Sequence, residues 1–155
     1  MNKLTVRFLS VFILIAALTS AGVSHADTKS HRTADGKLKV LYHIDGADVA
    51  VATYAMALID KHIEAEGGLD KIDVKVVVHG PALNLFDKED VDPKLLKKLK
   101  TVIDRGVEPE MCQVSMKLFN KGLDALADGF IPTEHPVAVK RIADLQEQGY
   151  LYIKP

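Results

Sequence analysis

The chain has 155 residues with 20 basic and 21 acidic side chains, no tryptophan and one cysteine. This length suits one domain of ordinary size. A near-neutral charge without an arginine cluster offers nothing for a nucleic-acid backbone to bind, and a single cysteine excludes an internal disulfide and a dithiol redox pair.

Residues 1–26 have the pattern of a secretory signal peptide. Lys3 and Arg7 precede the apolar run Phe8 to Leu18, and small residues follow at Ser24 and Ala26. The run of about 11 residues is well short of the roughly 20 that a membrane-spanning helix requires. This favours a signal over an anchor. We therefore predict cleavage after Ala26 and a soluble mature protein that is periplasmic or secreted, with no later membrane association.

The segment that follows is polar and leads into the first strand and helix. Residues 27–36 show no apolar periodicity, and we expect a flexible lead. An ordered domain then covers residues 37–155. Its first strand is predicted from Leu38 to Ile44, an apolar run with β-branched and aromatic residues. A helix with apolar residues at intervals of three and four follows, capped by Asp48 and ended by Gly67.

The middle of the chain continues to alternate between strand and helix. The β-branched run Ile72–Val78 is typical of a central parallel strand that is buried on both faces. A second helix carries an apolar stripe from Leu95 to Ile103, with lysines on the opposite, solvated side. A third strand is predicted from Val107 to Met111. The next helix is predicted from Met116 to Leu126, with Ser115 as its cap.

The last third repeats this pattern. A short strand is predicted over residues 129–131, a helix over 137–148 and a final strand over 150–153. The alternation predicts an α/β fold, a three-layer α/β/α domain with a five-stranded, mostly parallel sheet. In such sheets ligands bind beyond the carboxyl ends of the strands.

Four chemically capable side chains fall at those predicted strand ends. His43, His79 and Cys112 end or follow the first three strands, and His135 follows the fourth. We therefore expect them to line one edge of the sheet. His79 is the best placed of the histidines, beside Gly80 at a strand end. His43 can instead be a hydrogen-bonded core residue, and His135 an exposed loop residue.

Cys112 is the strongest functional candidate, because exported proteins usually pair their cysteines in disulfides. An unpaired cysteine is buried and inert, crosslinks two molecules, or is a reactive thiol. A position just before a helix favours the last of these, since unpaired backbone N–H groups lower a thiol pKa. Glu108 and Glu110 would raise that pKa if they lie near the sulfur, so the sequence leaves the sign of the shift open.

Other chemistries lack their defining residues. The sequence has no P-loop, no GxGxxG, no HExxH and no nucleophile elbow. This argues against nucleotide binding, zinc peptidase activity and serine hydrolase activity. We predict no cofactor.

Four segments of the domain resemble the DsrE/DsrF-like family of small sulfur-handling proteins. They are the strand KVLYHID, the strand and turn VVVHGPAL, residues 106–116 around Cys112, and the ending LQEQGYLYIKP. The resemblance implies a three-layer domain with a five-stranded parallel sheet, assembled as a trimer or hexamer. It also implies that Cys112 carries sulfur as a persulfide for transfer to a partner. Relatives often have a Ser-Gly pair before the last helix, where this chain has Glu134, His135 and Pro136.

We therefore predict an exported sulfur carrier that has sulfur donor and acceptor proteins as partners, with His79 or His43 tuning the Cys112 thiolate. Without a second cysteine, further chemistry needs another protein or a small thiol, which favours a carrier over a complete enzyme. Two alternatives stay open. One is a copper or zinc site formed by Cys112 and the strand-end histidines. The other is an oligomeric small-ligand-binding protein with a buried structural cysteine.

Two further expectations concern surfaces. We expect Cys112 to lie in a recess walled by residues 80–85 and 131–136, reachable by small reagents. The last helix and strand carry more apolar residues than one sheet edge needs, which predicts a homo-oligomer unless they close the core of the protomer. These apolar residues are Val137, Val139, Ile142, Leu145, Tyr150, Leu151 and Tyr152.

Overall fold

The computed structural model describes residues 30–155, so the predicted signal peptide lies outside the described residues. Its strands are β1 (Leu38–Ile44), β2 (Ile72–Val78), β3 (Glu110–Met111), β4 (Ile131–Pro132) and β5 (Leu151–Ile153). They form one sheet in the order β4-β3-β2-β1-β5, and all four pairings are parallel. The predicted α/β fold with a five-stranded parallel sheet is confirmed.

Four α-helices connect or follow the strands: α1 (Val49–Glu66), α2 (Pro93–Asp104), α3 (Gln113–Leu118) and α4 (Ala138–Glu147). Asp48 caps α1 as predicted, because its carboxylate accepts hydrogen bonds from the first backbone N–H groups of the helix. Short 3-10 segments lie at Gly80–Phe86 and Leu123–Ala125. Within residues 30–155, no helix combines the length and the apolar character that a bilayer crossing requires.

The sequence prediction was wrong around Cys112. The predicted helix Met116–Leu126 is instead α3, which begins at Gln113 and has Cys112 as its N-cap in place of Ser115. It ends early because Asn120 adopts a left-handed conformation with φ of 53°, which asparagine tolerates better than most residues. The predicted strand Val107–Met111 shrinks to β3, because Pro109 has no N–H group to donate to a neighbouring strand.

The two faces of the sheet bury unequal amounts of apolar surface. The broad face packs against α1, α2 and the 3-10 segment at Gly80–Phe86, which contribute Met56, Ile59, Phe86, Leu95 and Leu99 among others. The narrow face packs against α4. Successive side chains of a strand point to opposite faces, so Tyr42 faces the broad side while Leu41 faces the narrow side. The buried cluster of the narrow face consists of Leu41, Val77, Cys112, Ala138, Ile142, Leu145 and Tyr150.

Part of the predicted lead contacts the domain. The Nδ1 atom of His31 lies 2.8 Å from the carbonyl oxygen of Gly149, and the backbone N–H of Lys39 donates to the carbonyl of His31. Gly149 has a φ of +90°, and a Cβ atom there would clash with the carbonyl oxygen of Ser30, so this position requires glycine. Residues 30–36 therefore lie against the domain, and the flexibility of the lead stays a prediction.

Candidate functional site

The carboxyl ends of β1, β2 and β3 lie side by side at one edge of the sheet. The register pairs Ile44 with Val78 and Val78 with Met111. The ladder extends one residue further on each side. The backbone N–H of His79 donates to Ile44, and that of Cys112 donates to Val78. The parallel topology thus places His79 and Cys112 at the same level, next to each other in the sheet.

Cys112 lies between the end of β3 and the start of α3 and is buried, with 4% of the residue exposed. The backbone N–H of Ser115 donates to its Sγ atom at 3.5 Å. The thiol in turn donates to the carbonyl oxygen of Pro136, also at 3.5 Å. The loop before α4 therefore covers the sulfur on one side. The first turn of α3 holds the sulfur on the other side.

The surroundings of the sulfur favour its ionised form. Burial raises the pKa of the Cys112 thiol, but the polar groups close to the sulfur, which are the Ser115 hydroxyl and the backbone N–H groups of Ser115, Ala138 and Val114, outweigh it, so that the pKa lies below its ordinary value. Val114 and Ser115 lie in the first turn of α3, and Ala138 is the first residue of α4. The sulfur therefore lies at the N-terminal end of α3, where the backbone N–H of Ser115 donates to it.

Two histidines meet beside this position. The Nε2 atoms of His43 and His79 are 2.7 Å apart, and the planes of the two rings differ by 17°. The Nδ1 atom of His43 lies 2.6 Å from the hydroxyl oxygen of Tyr152. The Asp45 carboxylate lies 3.7 Å from Nε2 of His43 and accepts a hydrogen bond from Lys154 at 2.7 Å. We call His43, Asp45 and His79 the histidine cluster.

The electrostatics of the histidine cluster favour neutral imidazoles. Burial lowers the pKa of both His43 and His79, and the nearby Asp45 carboxylate opposes this shift. The lowered pKa of Asp45 follows from its hydrogen bond with Lys154. Because the two Nε2 atoms are in hydrogen-bond contact, one must donate a proton while the other accepts it.

The sulfur atom is separate from the histidine cluster. Metal-ligating atoms of His43, Asp45 and His79 lie within 4.8 Å of one another, and Cys112 is not part of that group. A copper or zinc site that combines Cys112 with these histidines therefore has no support in this arrangement. His135 also lies outside the group, and its Nδ1 atom accepts a hydrogen bond from the backbone of Val137 at 3.0 Å.

One hydrogen bond links the two sites. The backbone N–H of Gly80, next to His79, donates to the Ser115 hydroxyl oxygen at 2.8 Å. The same Ser115 hydroxyl stabilises the Cys112 thiolate. Among residues 30–155, no histidine nitrogen hydrogen-bonds to the sulfur directly. Tuning of the thiolate by His79 or His43 stays a prediction.

Comparison with known proteins identifies the family of this chain. A sequence model of the DsrE/DsrF-like family matches residues 12–155. The chain belongs to the DsrE/DsrF-like family. This family is generally related to sulfur relay. A comparison with curated proteins finds no match.

Two solved structures share the DsrE/DsrF-like fold of this chain. One is the protein of unknown function MTH1491 from Methanobacterium thermoautotrophicum, which is 20% identical, covers 75% of this chain and 97% of its own, and gives a TM-score of 0.64. The other is the ychN protein from E. coli, at 12% identity, 76% and 98% coverage and a TM-score of 0.59. At these identities the likeness shows the fold alone.

Sequence reasoning missed a buried ion pair beside the cysteine of this DsrE/DsrF-like domain. The Arg141 guanidinium donates to both carboxylate oxygens of Glu110, at 2.8 and 2.9 Å, and it also binds Glu134. The charge of Glu110 is therefore balanced by Arg141, so it does not destabilise the Cys112 thiolate. Glu108, the other acidic residue before Cys112, is exposed to solvent. The available signal was Glu110 itself, an acidic residue that shares its strand face with Cys112.

Proposed function

We propose that this protein is a sulfur carrier, in which Cys112 accepts sulfane sulfur as a persulfide and passes it to a partner protein. The observation that carries the proposal is that the single thiol of the chain is the N-cap of α3, where its sulfur accepts a hydrogen bond from the backbone N–H of Ser115 at 3.5 Å. A purely structural cysteine fits equally well into an apolar cluster, but it has no need of donors that stabilise its ionised form. Membership of the DsrE/DsrF-like family supports the same conclusion.

The proposed transfer is a thiol exchange without net oxidation. The Cys112 thiolate attacks the terminal sulfur of a donor persulfide, R–S–SH. A new S–S bond forms at Cys112 as the S–S bond of the donor breaks, and the donor leaves as R–S⁻ with the electron pair of that bond. An acceptor thiolate then attacks the outer sulfur, gains it as a persulfide and returns Cys112 to the thiolate. No second cysteine of this chain can intercept the intermediate as an intramolecular disulfide.

The structure gives the carrier site a covered position. Pro136, in the predicted wall 131–136, contacts the sulfur directly. Gly80 begins the other predicted wall and contacts Ser115. Because 4% of Cys112 is exposed, a donor must displace part of this cover to reach it. Access by small reagents stays a prediction, as does location outside the cytoplasm after removal of residues 1–26.

We also propose that the protein assembles as a homo-oligomer, with a trimer or hexamer expected from the family. Three of the apolar residues behind this prediction, Ile142, Leu145 and Tyr150, are buried in the narrow face of the protomer itself. The other four support assembly, because they are apolar and exposed and two of them lie in β5, an edge strand. They are Val137, Val139, Leu151 and Tyr152, which are between 37% and 61% exposed. Light scattering that finds only monomers at micromolar concentration would contradict assembly.

Intact-mass measurement tests the carrier function. The purified protein is incubated with polysulfide, or with thiosulfate and a sulfurtransferase. We expect an adduct of about 32 Da that a reducing agent removes, as is typical of a persulfide. Cys112→Ser should show no adduct, and Ser115→Ala should form it more slowly because its thiol pKa is higher. Absence of the adduct with every donor would overturn the proposal.

A further inference from the structure

The histidine cluster has a donor set that sulfur transfer at Cys112 does not use. Two imidazole nitrogens and one carboxylate lie within 4.8 Å of one another. These are ligand types that zinc binds, at about 2.0–2.2 Å for nitrogen or oxygen. Two nitrogens on one tetrahedral zinc ion are then roughly 3.3 Å apart. The Nε2 atoms are 2.7 Å apart, so zinc binding needs them to separate by about 0.6 Å, which side-chain rotation can supply.

The sheet holds two of these ligands firmly. His43 lies in β1, with 8% of the residue exposed, and His79 directly follows β2. The strands are neighbours in the sheet, so their backbones keep the two residues side by side. Asp45 follows β1 immediately and so approaches from the same edge. Sites built on strands keep their geometry better than sites built on loops.

Tyr152 orients the buried ring. Its hydroxyl lies 2.6 Å from Nδ1 of His43. A proton on Nδ1 that is donated to this hydroxyl leaves the lone pair of Nε2 directed into the histidine cluster. Metal-bound histidines usually use their second nitrogen in this way, because the outer hydrogen bond fixes tautomer and ring orientation.

Lys154 forms an ion pair with the Asp45 carboxylate. Its ammonium group lies 2.7 Å from an Asp45 oxygen, with half of the side chain exposed. The ammonium is an exposed surface cation that a metal ion can displace from Asp45. The same contact implies competition, so removal of Lys154 should strengthen metal binding.

From these contacts we propose that His43, His79 and Asp45 bind a divalent transition-metal ion of the zinc type, at a site separate from Cys112. Three protein ligands leave a fourth position for water or a small ligand, which is the arrangement of an open rather than a closed zinc site. A cavity of about 120 Å³, lined by His43, Asp45 and Asp48 among others, adjoins the cluster.

Zinc titration of the full chain, purified without a histidine tag and stripped by chelator, tests the site. A chromophoric competitor reports the affinity, and atomic emission reports the ratio of zinc to protein. We expect about one zinc ion per chain, and at least about 100-fold weaker binding in His43→Ala and His79→Ala, since each loses a direct ligand. His31→Ala is the control, because His31 is exposed and contacts Gly149 rather than the cluster.

Two variants at exposed side chains give a test that does not depend on core substitutions. Tyr152→Phe should weaken zinc binding by about 10-fold, as expected for an outer hydrogen bond to a ligand. Lys154→Gln should change affinity in the opposite direction and strengthen it several-fold. Circular dichroism confirms that each variant is folded. Equal affinities in the parent protein and all of these variants would overturn the proposal.

Cobalt substitution separates this site from Cys112. With nitrogen and oxygen ligands, bound Co²⁺ should give visible d–d bands without a thiolate-to-cobalt charge-transfer band, and Cys112→Ser should leave the spectrum unchanged. A charge-transfer band that disappears in Cys112→Ser would overturn the proposed ligand set, as would a parent protein that binds no metal. Because the site excludes Cys112, persulfide formation and metal binding can fail independently.

Discussion

The two faces of the sheet divide the molecule into regions with different contents. The broad face buries an apolar core against α1 and α2, with fully buried residues such as Met56, Phe86 and Leu99. The narrow face has seven residues in its buried cluster, and one of them is Cys112. Around that cluster lie polar contacts: Glu110 with Arg141, Tyr150 with Asp73, and His43 with His79 and Tyr152.

This difference indicates a separation between stability and chemistry. Hydrophobic burial is the dominant favourable contribution to folding, and most of it lies on the broad face. The narrow face can therefore hold groups that are costly to bury, provided each has a partner. Among residues 30–155, no buried polar side-chain atom lacks a hydrogen-bond partner. We expect truncation of apolar residues on the broad face to change stability alone, and substitution of residues that contact the Cys112 sulfur to change its reactivity.

The largest expected loss of stability is for Phe86→Ala. Phe86 is fully buried on the broad face and packs edge-on against Phe130, with ring centroids 5.0 Å apart. Its truncation leaves a cavity that should lower the free energy of unfolding by about 4 kcal/mol, measured by urea denaturation. In the folded Phe86→Ala variant, alkylation of Cys112 should depend on pH as it does in the parent protein. A loss below about 1 kcal/mol would break the assignment of stability to this face.

Glu110→Gln should lower the free energy of unfolding by about 3 kcal/mol, somewhat less than Phe86→Ala. The substitution leaves the buried Arg141 charge without its carboxylate partner. Glu134→Gln is the matched control, since Glu134 binds the same guanidinium but its side chain is 76% exposed. That control should cost at most about 1 kcal/mol. Equal losses in both variants, measured by denaturation under the same conditions, would show that burial of the pair does not matter.

Ser115→Ala should change stability by about 1 kcal/mol, through the lost hydrogen bond with Gly80. Its main effect should be on reactivity. Loss of the hydroxyl donor raises the pKa of Cys112, because this donor stabilises the thiolate. Thiolate absorbance as a function of pH measures the change. An unchanged or lower pKa of Cys112 in this variant would show that the Ser115 hydroxyl does not stabilise the thiolate.

The smallest expected effect is a loss of stability in mild acid. Burial lowers the pKa of His43 and His79 in the folded protein. The unfolded chain therefore binds more protons once the pH falls below about 6.5, and stability is lost as the pH drops further through the folded values. Urea midpoints across this range should decline, and the decline should be shallower in His79→Gln. An identical decline in that variant would place the titrating groups elsewhere.

The sequence was sufficient for most of the fold because strong local patterns set it. The run Ile72–Val78 and the Asp48 cap were predicted correctly, since each depends on neighbouring residues alone. The helix after Cys112 was not, because its end depends on a left-handed Asn120 that periodicity does not reveal. The order of strands and helices along the chain was also enough to predict which residues lie at the ends of strands.

The partners within the site could not be predicted in the same way. Which strand-end residues touch depends on strand order and register, and these placed His43 against His79 while leaving His135 apart. The pair of Glu110 with Arg141 joins a strand to a helix 31 residues later, so no local spacing marks it. Contacts of this kind become visible only when the tertiary structure is known.

The most direct test of the account is alkylation of Cys112 in the folded protein as a function of pH. The account predicts that native protein is labelled at Cys112 without denaturation, and that the midpoint of the rate profile lies below the ordinary thiol pKa of about 8.5. Urea-denatured protein supplies the reference midpoint. Labelling that requires denaturation would leave Cys112 as a buried structural residue, and a midpoint at or above the reference would contradict a stabilised thiolate.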